Sequence, residues 1–191
     1  MACEEKGIPY TLTPAFPHSP EVLAIHPFGK IPAFRHGDVE LCESRAIVTY
    51  LDSAFPGPKL IPAEPRAGAE TDQWISLVNS VMDQTMIRKY LFAYILPKTA
   101  DKSPDRSAIE AVLPALQQEI ALLDKAVAKT GYLAGSDFTF ADVNLLPILA
   151  YVVQFPEGKA AISAAKNLAA YYERHSARPS FRNTIPPPPK R

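Results

Sequence analysis

Cysteine is nearly missing from this chain: two of 191 residues, Cys3 and Cys42. Two thiols cannot build a disulfide framework, so reduced cysteines in a cytoplasmic setting are the expectation. An excess of one charge is missing too. Lys+Arg and Asp+Glu number 20 each and the formal net charge is zero. That argues against non-specific binding to nucleic acid or to an anionic membrane. No long hydrophobic run occurs. The most apolar stretch, Val143 to Phe155, is short and carries Asn144 and Pro147, so no membrane partner is expected. The opening MACEEKGIPY has no apolar core of the kind a signal peptide needs. Zinc-ligand spacings, a phosphate-cradling GxxxxGK[ST] loop and GxGxxG are all absent. Their absence removes most zinc and nucleotide enzymes, and no metal site is expected.

Proline is the residue in surplus, with 20 in the chain, about twice the ordinary share. Four stand together at Pro186 to Pro189, and residues 185–191 read as an extended, solvated tail. The others act as punctuation. Before residue 56, short runs are broken by Pro and Gly. Tyr10 to Thr13 reads as a strand and Glu21 to Ile25 as a short helix. Ile31 to Arg35 and Val39 to Leu41 read as strands around a Gly37-Asp38 turn, and Ser44 to Ala54 as a helix. FPGPKLIPAEP, Phe55 to Pro65, reads as a linker.

Beyond it the pattern is helical. Trp74, Leu77, Val78, Val81, Met82 and Met86 recur at three- and four-residue steps. Ile109, Val112, Leu113, Leu116, Ile120 and Leu123 repeat the spacing, with Pro114 expected to kink the run. Ala160 to Arg174 predicts a last helix. The fold class expected is α/β plus all-α: residues 1–56 a small mixed domain, 57–65 a linker, 66–184 a helical domain, 185–191 the tail.

Thr139-Phe140-Ala141-Asp142 has the spacing of a capping box in acidic form. Thr139 caps the helix while Asp142 reaches back to the Thr139 N–H, and Phe138 and Val143 flank the pair as a hydrophobic staple. Asp142 is therefore read as structural. The chemistry concentrates in His26-Pro27-Phe28-Gly29-Lys30-Ile31-Pro32-Ala33-Phe34 and in Leu41-Cys42-Glu43-Ser44-Arg45-Ala46-Ile47. Pro32 must lie at an edge or bend, which frees the Ile31 backbone for an extended ligand. Ser44 stands where strand gives way to helix, and the first-turn amides behind it suit an anion. A capped helix and a loop proline are the plainer alternative.

Together, HPFGKIPA, a Gly-Asp turn and LCESRAI-x-x-YL resemble the glutathione-binding half of cytosolic glutathione transferases, in the manner of the phi, theta and related bacterial classes. YLAGSDFTFADVNLLPILAY, Tyr132 to Tyr151, and the closing RPSFRNT resemble the helical half. The resemblance implies a thioredoxin-like domain followed by an all-helical one. It implies an enzyme that adds the thiol of glutathione to a hydrophobic electrophile, a homodimer, and no cofactor beyond glutathione as co-substrate. Pro32 would be a cis-proline, and Ile31 would pair with the cysteinyl unit of glutathione. Glu43 and Ser44 would hold its γ-glutamyl end, and Lys30 and His18 would lie near its glycine end. A substrate pocket would be lined by Met82, Met86 and Tyr90, with core packing the competing reading of these three.

His26 stands where the commoner pattern has Asn, and is read as a surface histidine. Family members begin with a central strand and a loop bearing the catalytic Ser, Tyr or Cys. Here MACEEKGIPY resembles the end of the helix that follows, so the expectation is that this strand and loop are missing and the catalytic residue is unknown. A strand carrying three buried aliphatic side chains is worth about 5–9 kcal/mol, against a domain stability of about 5–15 kcal/mol. Weak or no conjugation would follow, with Cys3, Tyr10 and Thr11 the first substitutes to examine. The alternatives are a non-catalytic glutathione-binding protein and a dimerising interaction module of the same fold.

Overall fold

The structure, a computed structural model, describes residues 1–97 and 99–185. The expectation for the tail from Pro186 onward lies outside them. The chain divides into two compact units, Met1–Ile61 and Pro62–Arg191.

The first unit opens with α1 (Ala2–Lys6), which ends where Gly7 turns left-handed at φ 65°. There the Ile8 and Gly7 N–H groups donate back to the carbonyls of Cys3 and Glu4, a close that favours glycine. A short helix α2 (Pro20–Leu23) follows. Strands β1 (Ala33–His36) and β2 (Val39–Cys42) form an antiparallel hairpin around Gly37-Asp38. Gly37 has φ 60°, the left-handed backbone a two-residue turn needs. Arg35 faces Glu40 across the ladder in a 2.6 Å ion pair. Helix α3 (Ser44–Ala54) buries Ile47, Val48 and Leu51 at helical spacing.

The strand expected at Tyr10 to Thr13 does not form: the segment carries no sheet pairing, and Tyr10 and Leu12 are exposed. A strand is stable only when a neighbour takes its N–H and C=O groups. Among the described residues the only sheet is the β1–β2 pair.

One ion pair ties the unit together. The Lys6 ammonium lies 3.0 Å from Asp52, with both side chains buried. Lys6 also donates to the Pro58 carbonyl, and Asp52 accepts the N–H groups of Leu60 and Ile61. The proline-rich segment after α3 is therefore fastened down, and Leu60 is only 1 % exposed.

The second unit begins with α4 (Pro65–Leu77), which continues through a π-helical stretch, Val78–Leu91, into α5 (Phe92–Ile95). Val78, Met82, Met86 and Tyr90 are buried there, while Val81 is exposed. The wider π turn advances the apolar face in steps of four, so Val81 falls outside the stripe the spacing predicts.

Helix α6 (Arg106–Val127) is capped by Asp105, whose carboxylate accepts the Ala108 N–H. It runs through Pro114 as one element. Pro114 and Glu110, the residue whose carbonyl loses its partner, are both exposed, which leaves that carbonyl open to solvent. Helix α7 (Phe140–Val152) is buried almost all round. The single last helix expected from Ala160 is two, α8 (Pro156–Ala164) and α9 (Lys166–Ser176). Asp124 of α6 accepts the N–H groups of Asn167 and Leu168 and so starts a new helix there. A short turn, α10 (Pro179–Arg182), follows. Among the described residues no helix is long and apolar enough to cross a membrane.

Candidate functional site

The hairpin register assembles the site. Ala33 pairs with Cys42, so the residues just before β1 and just after β2 leave the sheet at the same end. Those residues are Ile31-Pro32 and Glu43-Ser44. The Ile31–Pro32 peptide is cis. Ile31 is 57 % exposed, and among the described residues its N–H and C=O take no backbone partner. They are the free edge of an extended chain.

Glu43 has φ 68° and ψ 118°, a backbone that non-glycine residues rarely adopt and that persists only where surroundings enforce it. Immediately after it α3 begins, with no side-chain cap. Its first-turn amides point past Ser44, as anion-binding helix starts do. Ser44 itself is half-buried and the Glu43 carboxylate is 70 % exposed.

The segment 16–30, which includes α2, adds basic groups. The His18 N–H donates to the Gly29 carbonyl at 2.7 Å. Gly29 itself has φ 63°, and a Cβ there would meet the His18 ring at 2.5 Å. This close approach favours glycine, and it holds exposed His18 against the residue that precedes exposed Lys30.

The histidine read from sequence as a surface residue is not one. His26 is 3 % exposed. Its Nδ1 accepts the Phe28 N–H at 3.2 Å, and its Nε2 lies 3.6 Å from Glu43 Oε1. Reading it from composition failed because its two partners come from a local turn and from the far side of the hairpin.

Of the substitutes for a catalytic residue, Tyr10 donates its hydroxyl to Glu4 at 3.0 Å. Burial pushes the Cys3 thiol up, away from the thiolate form that does chemistry. Thr11 is exposed.

Met82, Met86 and Tyr90 are fully buried in the helical unit, where the structure places them in the core. The Tyr90 hydroxyl donates to Glu157 and accepts the Gly158 N–H. An open depression of about 340 Å³, lined in part by Glu70, Lys129, Thr130, Tyr132 and Ser136, contains none of the residues named for the site.

Asp142 is wholly buried and makes the capping box with Thr139. Its carboxylate accepts from the Thr139 N–H at 2.9 Å, the Leu133 N–H at 2.8 Å and the Tyr171 hydroxyl at 2.9 Å. Burial pushes its carboxyl up, against the pull of those hydrogen bonds. No room is left for a substrate. Phe138 lies half-buried against His175, with the Arg178 guanidinium 3.9 Å above its ring.

Residues 1–59 match the family model described as Glutathione S-transferase, N-terminal domain, and residues 84–179 the corresponding C-terminal domain. Glutathione S-transferase 3 of Zea mays is 32 % identical over 97 % of this chain and 88 % of its own length. The crystal structure of glutathione transferase F7 from Populus trichocarpa superposes with a TM-score of 0.84 at 27 % identity, covering 95 % of this chain and 88 % of that one. Glutathione S-transferase I from mais, solved with an atrazine glutathione conjugate, gives 0.83 at 26 % identity over 95 % and 87 %. The fold is a thioredoxin-like domain followed by a helical one, and the chain belongs to the glutathione S-transferase family.

Proposed function

We propose that this protein conjugates the thiol of reduced glutathione to the electrophilic carbon of a hydrophobic substrate. The observation that carries the reading is the hairpin register, which brings Ile31-Pro32 and Glu43-Ser44 to one end of the sheet. The exposed Ile31 backbone pairs with the cysteinyl unit. Ser44 and the α3 amides take the γ-glutamyl carboxylate, and the Glu43 carboxylate takes its ammonium. Lys30 and His18, side by side, face the glycine carboxylate. The sulfur forms a carbon–sulfur bond, the thiol proton passes to solvent, and a leaving group departs or the substrate carbon is protonated. Holding both reactants in one place supplies proximity, the contribution that the site residues named here can make. Glutathione is the co-substrate and no further cofactor takes part. The protein acts as a cytoplasmic homodimer in detoxification.

Titration calorimetry with S-hexylglutathione tests the site, and formation of the 1-chloro-2,4-dinitrobenzene conjugate tests the chemistry. Saturable 1:1 binding per chain together with conjugate formation above the uncatalysed rate is expected. Binding without conjugation would replace the reading by a non-catalytic glutathione-binding protein. Absence of both would refute it.

A further inference from the structure

We infer that His26 is a positioning residue for glutathione recognition, holding the Glu43 carboxylate where it meets the ligand's α-ammonium. The inference rests on the site proposed above. His26 is buried at 3 % exposure, while the carboxylate it faces is 70 % exposed. A buried imidazole has one fixed orientation. Its Nδ1 is occupied by the Phe28 N–H at 3.2 Å, and its Nε2 points to Glu43 Oε1 at 3.6 Å. A ring nitrogen that accepts from a backbone amide leaves the proton on the other one, so Nε2 presents its N–H to Glu43. Burial and the Phe28 contact make His26 a fixed arm that reaches to within 3.6 Å of the Glu43 carboxylate, longer than a direct hydrogen bond and close enough to attract it.

Glu43 needs such an arm. Its backbone sits at φ 68°, a conformation an L side chain resists, and its side chain is otherwise solvated. Without an anchor, an exposed glutamate explores several rotamers and gives up entropy when a ligand selects one. His26 also joins the two halves of the site: loop 26–32 ends in Ile31-Pro32, and Glu43 precedes Ser44. The contact therefore runs from the segment that leads into Ile31-Pro32 to the residue that precedes Ser44.

The test compares two ligands, S-hexylglutathione and its deamino analogue, which lacks only the α-ammonium. Two variants separate position from packing. Asparagine at 26 can still accept the Phe28 N–H across a two-residue turn, but its shorter side chain cannot reach Glu43. Glutamine has the reach. His26→Asn is expected to weaken S-hexylglutathione binding about 3- to 10-fold, the range of one directed polar contact, and to leave the deamino analogue within about two-fold. His26→Gln is expected to restore part of the loss. In a Glu43→Gln background, which leaves the buried imidazole untouched, His26→Asn should no longer change the discrimination between the ligands. Equal losses for both ligands would overturn the proposal, because packing damage is blind to the ammonium, and so would unchanged discrimination. Wild-type protein that binds neither ligand would instead refute the glutathione site and this role with it.

Discussion

Replacing Asp142 with alanine tests the role of a buried carboxylate that accepts from Thr139, Leu133 and Tyr171. A cap alone is worth about 0.5–2 kcal/mol, but Asp142 does more than cap. It also accepts the Leu133 N–H and the Tyr171 hydroxyl, and all of these atoms are buried. Alanine would take the acceptor from four donors, the Thr139 and Leu133 N–H groups and the Thr139 and Tyr171 hydroxyls, of which the Thr139 hydroxyl can rotate to another acceptor. Each buried donor left unpaired costs about 1–3 kcal/mol. The wild-type carboxylate also bears a burial cost, and its removal offsets part of the total. The expected destabilisation is about 3–5 kcal/mol, a large share of a domain stability of about 5–15 kcal/mol. Urea unfolding followed by circular dichroism at 222 nm would read it as a lower midpoint at unchanged slope. Tyr171→Phe removes one donor together with its need for a partner and should cost about 1 kcal/mol. S-hexylglutathione affinity of the folded Asp142→Ala protein should equal that of wild type. A cost below about 1 kcal/mol, or lost binding in a variant as stable as wild type, would refute the structural assignment.

Ser44→Ala should weaken S-hexylglutathione binding by about 1–2 kcal/mol, the worth of a hydrogen bond to a charged group, with no change in unfolding midpoint; unchanged calorimetric affinity would remove Ser44 from the site. Asp52→Ala leaves the Lys6 ammonium buried without its counterion and should cost about 3–5 kcal/mol, while the paired change Lys6→Met with Asp52→Leu should recover most of it; a mild single variant in urea titration would show that the pair is not a tie. Glu157 gives an acid signature. Burial pushes its carboxyl up, but hydrogen bonds from Tyr94, Arg106 and Tyr90 outweigh that and hold it down, at about 2. A depressed carboxyl adds stability that is complete above its ordinary value near 4.5 and lost as pH falls toward 2. The stability gap between wild type and Glu157→Gln should therefore close between those two values, and a pH-independent gap would disprove the linkage.

The parts of the molecule that follow from local pattern were legible in the sequence. The β1–β2 hairpin needs only alternating residues around a Gly-Asp turn, and α3 only its apolar spacing. The capping box is a four-residue signal, and it appears in the structure with both of its hydrogen bonds. What was not legible depends on partners far along the chain. Asp124 divides the last expected helix from 43 residues away. Lys6 meets Asp52 because α1 passes the end of α3, and neither residue has a local cue. Tyr10 to Thr13 has strand-forming residues, yet propensity cannot supply the neighbour a strand requires. His26 was misread for the same reason: a lone imidazole in a proline-rich loop looks solvated until the hairpin folds back and brings Glu43 to it.

Three carboxylates show how burial and backbone sort one chemical group into different work. Asp52 and Asp142 both end up inside, each with backbone N–H donors and one strong side-chain partner. All of their acceptor capacity is used within the protein, so neither has anything left to offer a ligand. Glu43 is the reverse case. Its carboxylate faces solvent and touches one side chain, at a distance longer than a direct hydrogen bond. Its main chain is held in a rare conformation that earns no packing in return. Positive φ alone does not mark a site, since exposed Lys102 has φ 58° as well; Glu43 differs in joining that backbone to a solvent-facing carboxylate at the same end of the sheet as Ile31-Pro32. That asymmetry, rather than proximity to a helix start, is what separates the ligand-facing acid from the two structural ones. It also makes Glu43→Gly informative: relieving the backbone should leave stability unchanged or raised by up to about 1 kcal/mol, while affinity for S-hexylglutathione falls. A glycine variant that was destabilised and still bound normally would place Glu43 with the structural acids.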